Sequence, residues 1–167
     1  MNIKFASMGD VMYIRTCCFT GHRQLPESRL QEIMMSLNHQ IEVLIYQEVD
    51  TFICGGALGF DMLAAAIVIA KKKLGYRIRL VLALPCRNQE KYWTVKQVAF
   101  YRNLLEEADE IIYISEEYSE DCMRKRNRYM VEQSAYCICC LWKPKSGTYQ
   151  TVNYARKKGI KIINVAG

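Results

Sequence analysis

A regular alternation of short apolar runs with longer amphipathic runs is the feature that most constrains this fold. The short runs are rich in Ile, Val, Cys and Leu, which is typical of strands buried on both faces. We expect strands at residues 13–19, 51–54, 78–84, 110–114, 135–142 and 161–165. We expect helices at residues 25–46, 58–74, 88–108, from Ser119 or Glu120 to about 134, and at 148–158. This order predicts an α/β fold, a single Rossmann-like, doubly wound, mostly parallel sheet with helices on both faces.

The length and composition suit one domain. The chain has 167 residues, of which 51% are hydrophobic and 24% charged, enough to bury a full core. We expect residues 1–11 to form a flexible leader and residues 12–167 the Rossmann-like domain. The start of the chain has no signal-peptide pattern, and no apolar run is long enough to cross a bilayer.

The eight cysteines favour a reducing compartment, and we expect a cytoplasmic protein with no membrane partner. The sequence has no C-x-x-C pair, and neither histidine lies near a cysteine, so no metal site is expected. Most of the cysteines fall in predicted strands, where cysteine behaves as a small hydrophobe. The net charge of +6 favours anionic partners without saying which kind.

A glycine-rich turn is the most informative segment. The stretch GGALGFD at residues 55–61 follows a predicted strand and opens a predicted helix. Gly55, Gly56 and Gly59 let a ligand approach the backbone, and the helix offers unpaired N–H groups to a phosphate. The spacing matches neither the Walker loop nor the G-x-G-x-x-G pattern. Glycine needed for turn geometry alone is the alternative.

Asp61 falls in the first turn of that helix and is the candidate catalytic residue. A carboxylate there is stabilised by the helix dipole, which is one interpretation. The other is a carboxylate that accepts hydrogen bonds from ribose hydroxyls. The sequence leaves both open. No serine elbow or nucleophilic triad is present, so any catalysis would rely on carboxylates and positioned cations.

The other strand-to-helix loops reach the same edge of a parallel sheet, where doubly wound proteins bind ligands. Residues 20–23, TGHR, combine groups suited to phosphate or carboxylate. Residues 146–148, SGT, offer hydroxyls and a helix N-terminus. The predicted ligand-binding residues are Thr20, Gly21, His22, Arg23, Gly55, Gly56, Gly59, Asp61, Pro85, Gln89, Arg126, Asn127, Ser146, Gly147 and Thr148.

The basic segment at residues 123–130, MRKRNRYM, resembles a nucleic-acid patch, but helical geometry spreads its basic residues around the circumference. Met123 and Asn127 fall on the predicted inward stripe. Arg126 or Lys125 could reach an anion in the cleft, and a solvated basic face is the alternative. Near the predicted rim, Tyr92 and Trp93 could stack on a base, with core packing expected for at least one of them.

Taken together, these motifs resemble the YpsA-like family of the SLOG superfamily, which also includes the DprA/Smf and LOG proteins. The stretches that carry the resemblance are TGHR, GGALGFD, ALP with QEKYW, CMRKRNRYMV and SGTYQTVNYARKKGI. They run in order through nearly all the chain from Met12 onward. The resemblance implies a Rossmann-like fold and a site for a nucleotide or a nucleotide-derived ligand related to NAD or ADP-ribose.

Three functions stay open at this point. The first is a sensor or regulatory protein that binds a small nucleotide derivative, with no certain cofactor. The second is an enzyme that cleaves an N-glycosidic bond, as LOG proteins do with a PGGxGTxxE motif. This chain departs from that motif, with Cys54 for the proline and an earlier acid at Asp61. The third is DprA-like binding of single-stranded DNA, although nucleic acid is not the expected partner. The sequence does not give the oligomeric state, and the resemblance leaves a homodimer open.

Overall fold

The computed structural model describes residues 2–5 and 14–167, and their strands form one seven-stranded sheet. Every neighbouring pair of strands is parallel. The strands are β1 (Asn2–Phe5), β2 (Thr16–Gly21), β3 (Thr51–Cys54), β4 (Arg79–Leu84), β5 (Glu110–Tyr113), β6 (Tyr136–Cys140) and β7 (Lys161–Asn164). The helices are α1 (Leu30–Tyr46), α2 (Phe60–Lys73), α3 (Val95–Glu107), α4 (Cys122–Glu132) and α5 (Gly147–Lys157), and a 3₁₀ turn, Glu27–Arg29, precedes α1.

The helices cover both faces of the sheet, which confirms the doubly wound architecture. Because successive strand residues point to opposite faces, Phe52 packs on one side and Ile53 on the other. The helices α1, α2 and α3 bury their apolar side chains against the Phe52 face. The helices α4 and α5 cover the Ile53 face. The central strands are therefore buried on both sides, as their continuous apolar sequences predict.

The strand order places a topological switch point between β2 and β6. The sheet runs β1-β5-β4-β3-β2-β6-β7, so the chain moves outward from β2 to β5 and then returns to the other side of β2. The loops after β2 and β6 lead to helices on opposite faces of the sheet. They leave a crevice at the carboxyl ends of these two strands, the usual ligand position in open α/β sheets.

Several predicted boundaries differ from the structure. Within the predicted leader, Asn2–Phe5 form an edge strand paired with β5, and residues 6–11 lie outside the described part of the chain. Strand β2 continues through Thr20 and Gly21, which the sequence placed in a loop. Helix α3 begins seven residues later than expected, because the capping box of Thr94 and Gln97 starts it there and turns precede it.

The eight cysteines are all free and buried, in agreement with the prediction of buried thiols. In the ranges 2–5 and 14–167, no helix has the length and apolar character needed to span a membrane.

Candidate functional site

A cavity of about 270 Å³ occupies the switch point, and we call it the switch-point cavity. Its walls come from the end of β2, the glycine loop after β3, helix α4 and the start of α5. Ten of the fifteen predicted ligand-binding residues line it. They are Thr20, Gly21, His22, Arg23, Asp61, Arg126, Asn127, Ser146, Gly147 and Thr148. Three of the strand-to-helix loops, those after β2, β3 and β6, thus meet at this cavity together with α4.

Arg126 lies on the inward face of α4 and is only 3% exposed, although the sequence had placed the basic residues of this helix around its outer circumference. Its guanidinium donates to the carbonyl of Gly55, to Asn127 Oδ1 (2.8 Å) and weakly to Met123 Sδ (3.7 Å). Lys125 is exposed on the same helix, so Arg126 is the residue that reaches the cleft. Asn127, predicted to point inward, is half-buried and orients Arg126.

Asp61 faces the same cavity and is 6% exposed. Burial raises the pKa of its carboxyl to about 6, against the opposing attraction of Arg126. Its Oδ2 atom accepts a hydrogen bond from the backbone N–H of Ala57 (3.3 Å), so the carboxylate also ties the glycine loop to α2. The structure therefore supports a structural role for Asp61 and leaves it on the cavity wall, where a ligand can contact it.

Gly55 makes room for both charged groups. A Cβ atom at this position would lie 2.6 Å from Arg126 Nη1 and 2.8 Å from Asp61 Oδ2, closer than real contacts allow. Among the described residues, no carboxylate lies within ion-pair distance of the Arg126 guanidinium, Asp61 included. The charge of Arg126 is thus buried and only partly compensated, which is costly unless an anion joins it.

Gly59 serves packing between two loops. Its φ of 80° is in the left-handed region, and a Cβ there would lie 2.6 Å from the His22 carbonyl oxygen and closer still to that of Arg23. The next residue, Phe60, donates its N–H to the His22 carbonyl (3.2 Å). That N–H at the start of α2 is consequently used by the protein itself. The exposed Arg23 side chain is left at the cavity mouth.

His22 joins the loop after β2 to the loop after β6. Its Nε2 atom accepts from the backbone N–H groups of Trp142 and Lys143, each at 3.3 Å, and its ring meets the Trp142 indole edge-on at 4.2 Å. An acceptor at Nε2 places the proton of the neutral imidazole on Nδ1. Burial, and then the charge of Lys143, lowers the pKa of His22, which favours this neutral form.

The start of α5 supplies the last wall. The Ser146 hydroxyl caps the helix by accepting from the Tyr149 N–H (3.1 Å) and donates to the Lys143 carbonyl (3.0 Å). It is therefore engaged in the fold, whereas Gly147 and Thr148 present the first helical residues to the cavity. The helix dipole adds positive potential at this point.

Gly55, Gly56, Gly59, Pro85 and Gln89 are the predicted residues outside the cavity lining. Gly56 adopts a φ of 65°. The carbonyl of Pro85 accepts from the Ser115 N–H (3.1 Å), which links the loops after β4 and β5. The Gln89 amide donates to the Tyr101 hydroxyl (3.0 Å) and lies in a neighbouring cavity.

Met123 is a cavity residue that the sequence prediction of the site missed. It lines the switch-point cavity and both larger cavities beside it, one of about 490 Å³ between α4 and α5 and one of about 660 Å³ between the loops after β4 and β5. Its place on the predicted inward stripe was the available signal, but an inward methionine usually belongs to the core. In residues 2–5 and 14–167, no group of three His, Cys, Asp or Glu side chains is arranged to hold a metal ion.

Two solved structures share this fold. A DNA processing protein A of Helicobacter pylori, described for its single-stranded DNA binding mode, is 18% identical with a TM-score of 0.63, and the match covers 88% of this chain and 63% of that one. The DprA of Streptococcus pneumoniae is 13% identical with a TM-score of 0.66, over 88% of this chain and 48% of that one. At these identities the likeness concerns the fold alone.

The sequence relatives are closer. The SPbeta prophage-derived protein YoqJ of Bacillus subtilis is 38% identical over 130 residues, which cover 70% of this chain and 76% of YoqJ. A UPF0398 protein of Halalkalibacterium halodurans is 32% identical over 118 residues, 70% of this chain and 62% of that protein. The sequence model of the YspA SLOG family matches residues 18–164, which include every element from β3 to β7 and most of β2. The chain belongs to the YspA SLOG family.

Proposed function

We propose that this protein binds a nucleotide or nucleotide-derived ligand, of the NAD or ADP-ribose kind, in the switch-point cavity and acts as a sensor or regulatory protein. The observation that carries the proposal is Arg126, a guanidinium that is 3% exposed and faces the cavity with no carboxylate of the described chain at ion-pair distance. A buried cation of this kind is stabilised by an anionic partner, and a phosphate matches the geometry of a guanidinium.

The rest of the cavity supports an anion at the same place. Arg23 contributes a second guanidinium at the mouth, and the N-terminus of α5 adds the positive end of a helix dipole. Asp61 is the carboxylate among the lining residues. Its carboxylate is better suited to ribose hydroxyls, which donate hydrogen bonds, than to a phosphate, whose negative charge it would repel. These groups therefore favour a ligand with a phosphate beside a sugar.

The test is calorimetric titration of the full chain with AMP, ADP-ribose and NAD, after a thermal-shift screen of the same compounds, since preferential binding to the folded state raises the melting temperature. Arg23→Ala should weaken binding of a hit by about tenfold or more, because a hydrogen bond to a charged group contributes about 1.5–3 kcal/mol. Arg23 is exposed, so its removal leaves the core intact.

Arg102→Ala is the matched control, because Arg102 is an exposed arginine on α3 that lines none of the three cavities. It should bind as the unaltered protein does. Equal affinities of the Arg23→Ala and unaltered proteins, or no binding of any of the three compounds, would contradict the proposal. Steeply salt-dependent binding of oligonucleotides without nucleotide binding would instead support a DprA-like role.

The buried Asp61 favours a second candidate function, cleavage of an N-glycosidic bond. Its pKa of about 6 is suited to proton transfer near neutral pH, and perturbed carboxyls cluster at catalytic sites. Mass spectrometry of the incubated nucleotide would detect free base if the bond is cleaved. Asp61→Asn should then abolish turnover and keep measurable binding. Binding without any released base leaves the sensor as the function.

A further inference from the structure

A larger cavity of about 660 Å³ adjoins the switch-point cavity, between the loops that follow β4 and β5. We call it the tyrosine cavity because Tyr92 and Tyr118 line it from its two loops. Asn88 and Gln89 add side-chain amides. A volume of this size is within the range of about 300–1,000 Å³ that is usual for small-ligand sites.

The two tyrosines are left out of the core, although the aromatic residues Trp93 and Tyr101 near Tyr92 pack there. Tyr92 is 88% exposed and Tyr118 is 70% exposed, whereas Tyr101 is 1% exposed. Trp93, next to Tyr92, packs edge-on against Tyr101 with ring centroids 5.2 Å apart. Tyr92 and Trp93 were both predicted from the sequence as residues that could stack on a base. Trp93 packs against the core instead, whereas Tyr92 lines the cavity.

The tyrosine cavity and the switch-point cavity meet at Met123, which lines both. The tyrosine cavity also contacts the glycine loop, because the Gln89 amide Nε2 lies 3.5 Å from the carbonyl oxygen of Gly56. The Tyr101 hydroxyl accepts from the same amide at 3.0 Å and holds it in place. One ligand can thus extend from one cavity into the other along the edge of the sheet.

The two cavities differ in charge, and this sets the direction of such a ligand. The switch-point cavity has Arg23 and Arg126 against Asp61. The tyrosine cavity has no such positive excess, because Glu116 forms an ion pair with Arg87 (2.8 Å) and Glu117 is left against Lys91. A phosphate is therefore favoured in the first cavity, whereas an uncharged planar ring suits the aromatic faces and amides of the second.

We propose that the tyrosine cavity is the base subsite of this protein. It takes the purine ring of a nucleotide whose phosphate lies at Arg126 and whose sugar lies near Asp61. Tyr92 and Tyr118 provide stacking faces, and Asn88 and Gln89 lie where the edge of the ring would pass. This inference rests on the proposed function and goes beyond it, because it fixes which end of the ligand lies over β4 and β5 and makes the base a determinant of affinity.

Calorimetric titration with AMP and with ribose 5-phosphate tests the inference, because the two probes share the phosphate and the sugar and differ by the base. The unaltered full chain should bind AMP at least about tenfold more tightly, since stacking of a base on aromatic side chains has an effect of this order. The double variant Tyr92→Ala, Tyr118→Ala should bind AMP no better than ribose 5-phosphate. Its affinity for ribose 5-phosphate should stay unchanged.

Tyr46→Ala is the matched control, since Tyr46 is 91% exposed at the end of α1 and lines neither cavity. It should keep the full preference for AMP, and Tyr92→Phe with Tyr118→Phe should keep most of it. Equal binding of the two probes by the unaltered protein, or an undiminished preference in the double alanine variant, would overturn the base subsite. Arg23-dependent binding of ribose 5-phosphate would still support the proposed function. Binding of neither probe would overturn the base subsite, and the proposed function would fall with it only if ADP-ribose and NAD also fail to bind.

Discussion

Gly55 allows two opposite charges to be buried side by side. The Arg126 guanidinium and the Asp61 carboxylate each approach within 3 Å of the point where a Cβ of residue 55 would stand. The Gly55 carbonyl also accepts a hydrogen bond from Arg126. The need for glycine here comes from space, because Gly55 does not have a positive φ. The absence of a side chain at Gly55 thus lets both charged groups reach their positions in the proposed binding site.

Gly55→Ala should therefore lower the free energy of unfolding by about 1–3 kcal/mol, the usual range for overpacking a buried position. It should also weaken nucleotide binding, because Arg126 must shift. Gly147→Ala is the stability control, since a Cβ there meets no atom within 4 Å. Urea unfolding of both variants measures the difference, and equal stabilities would show that the space at Gly55 is not required.

The raised pKa of Asp61 predicts a pH dependence of stability. The carboxyl has an ordinary pKa of 3.8 and a folded value of about 6, so between these values the folded chain holds a proton that the unfolded chain has lost. The free energy of unfolding should accordingly fall as the pH rises through this window, by about 3 kcal/mol at most. The loss is complete above pH 6.

Asp61→Asn removes this titration. Urea unfolding at several pH values should show that the free energy of unfolding of the unaltered protein falls relative to that of the variant between pH 4 and 6. Taking the difference between the two proteins cancels the other titrating groups, which both share. Parallel pH profiles would mean that the Asp61 carboxyl is solvated or paired in solution.

At the scale of elements, His22 holds the end of β2 against the loop that follows β6. These segments flank the switch point, and the two N–H groups that Nε2 accepts belong to consecutive residues of the β6 loop. Protonation would turn Nε2 from an acceptor into an N–H donor that faces the two backbone N–H groups, and both hydrogen bonds would be lost. Because the pKa of His22 is lowered, the stabilising contact is present above its ordinary value of 6.5 and is lost as the pH falls through the folded value.

Tryptophan fluorescence can follow this contact, since the His22 ring lies 4.2 Å from the Trp142 ring and a protonated imidazole quenches indole. In a Trp93→Phe background, the emission of Trp142 should fall on acidification with a midpoint below pH 6.5. His22→Gln should abolish the step. A midpoint at or above 6.5 would mean that the imidazole is not held as an acceptor.

Helices α3 and α4 show where the sequence was informative and where it was not. Thr94 and Gln97 have the spacing of a capping box, which marks the start of α3, but the prediction did not use this signal and began the helix at residue 88. The burial of Arg126 could not be predicted from the sequence. Its main partner is the carbonyl of Gly55, which is 71 residues away in sequence and comes near only when the sheet forms.

For the whole molecule, the parallel sheet and the two helical layers followed from local patterns, whereas the strand order did not. The apolar runs of β2 and β6 are equally suited to any central position, and their pairing is set by how the crossovers pack. The strand-to-helix loops were correctly expected at one edge, since every strand of a parallel sheet ends there. Which two loops flank the switch point depended on the order, and so did the division into two cavities that differ in charge.

The buried cysteines can report transient unfolding, because their thiols react only when they become exposed. All eight thiols are free and inside the core, on strands β2, β3 and β6, in the loop after β4 and at the start of α4. Burial raises the pKa of Cys17, Cys54 and Cys139, so little reactive thiolate forms in the folded chain. A disulfide reagent should therefore modify few thiols without denaturant and eight in urea. The rate of labelling then reports how often the chain unfolds transiently, and a bound nucleotide should lower that rate.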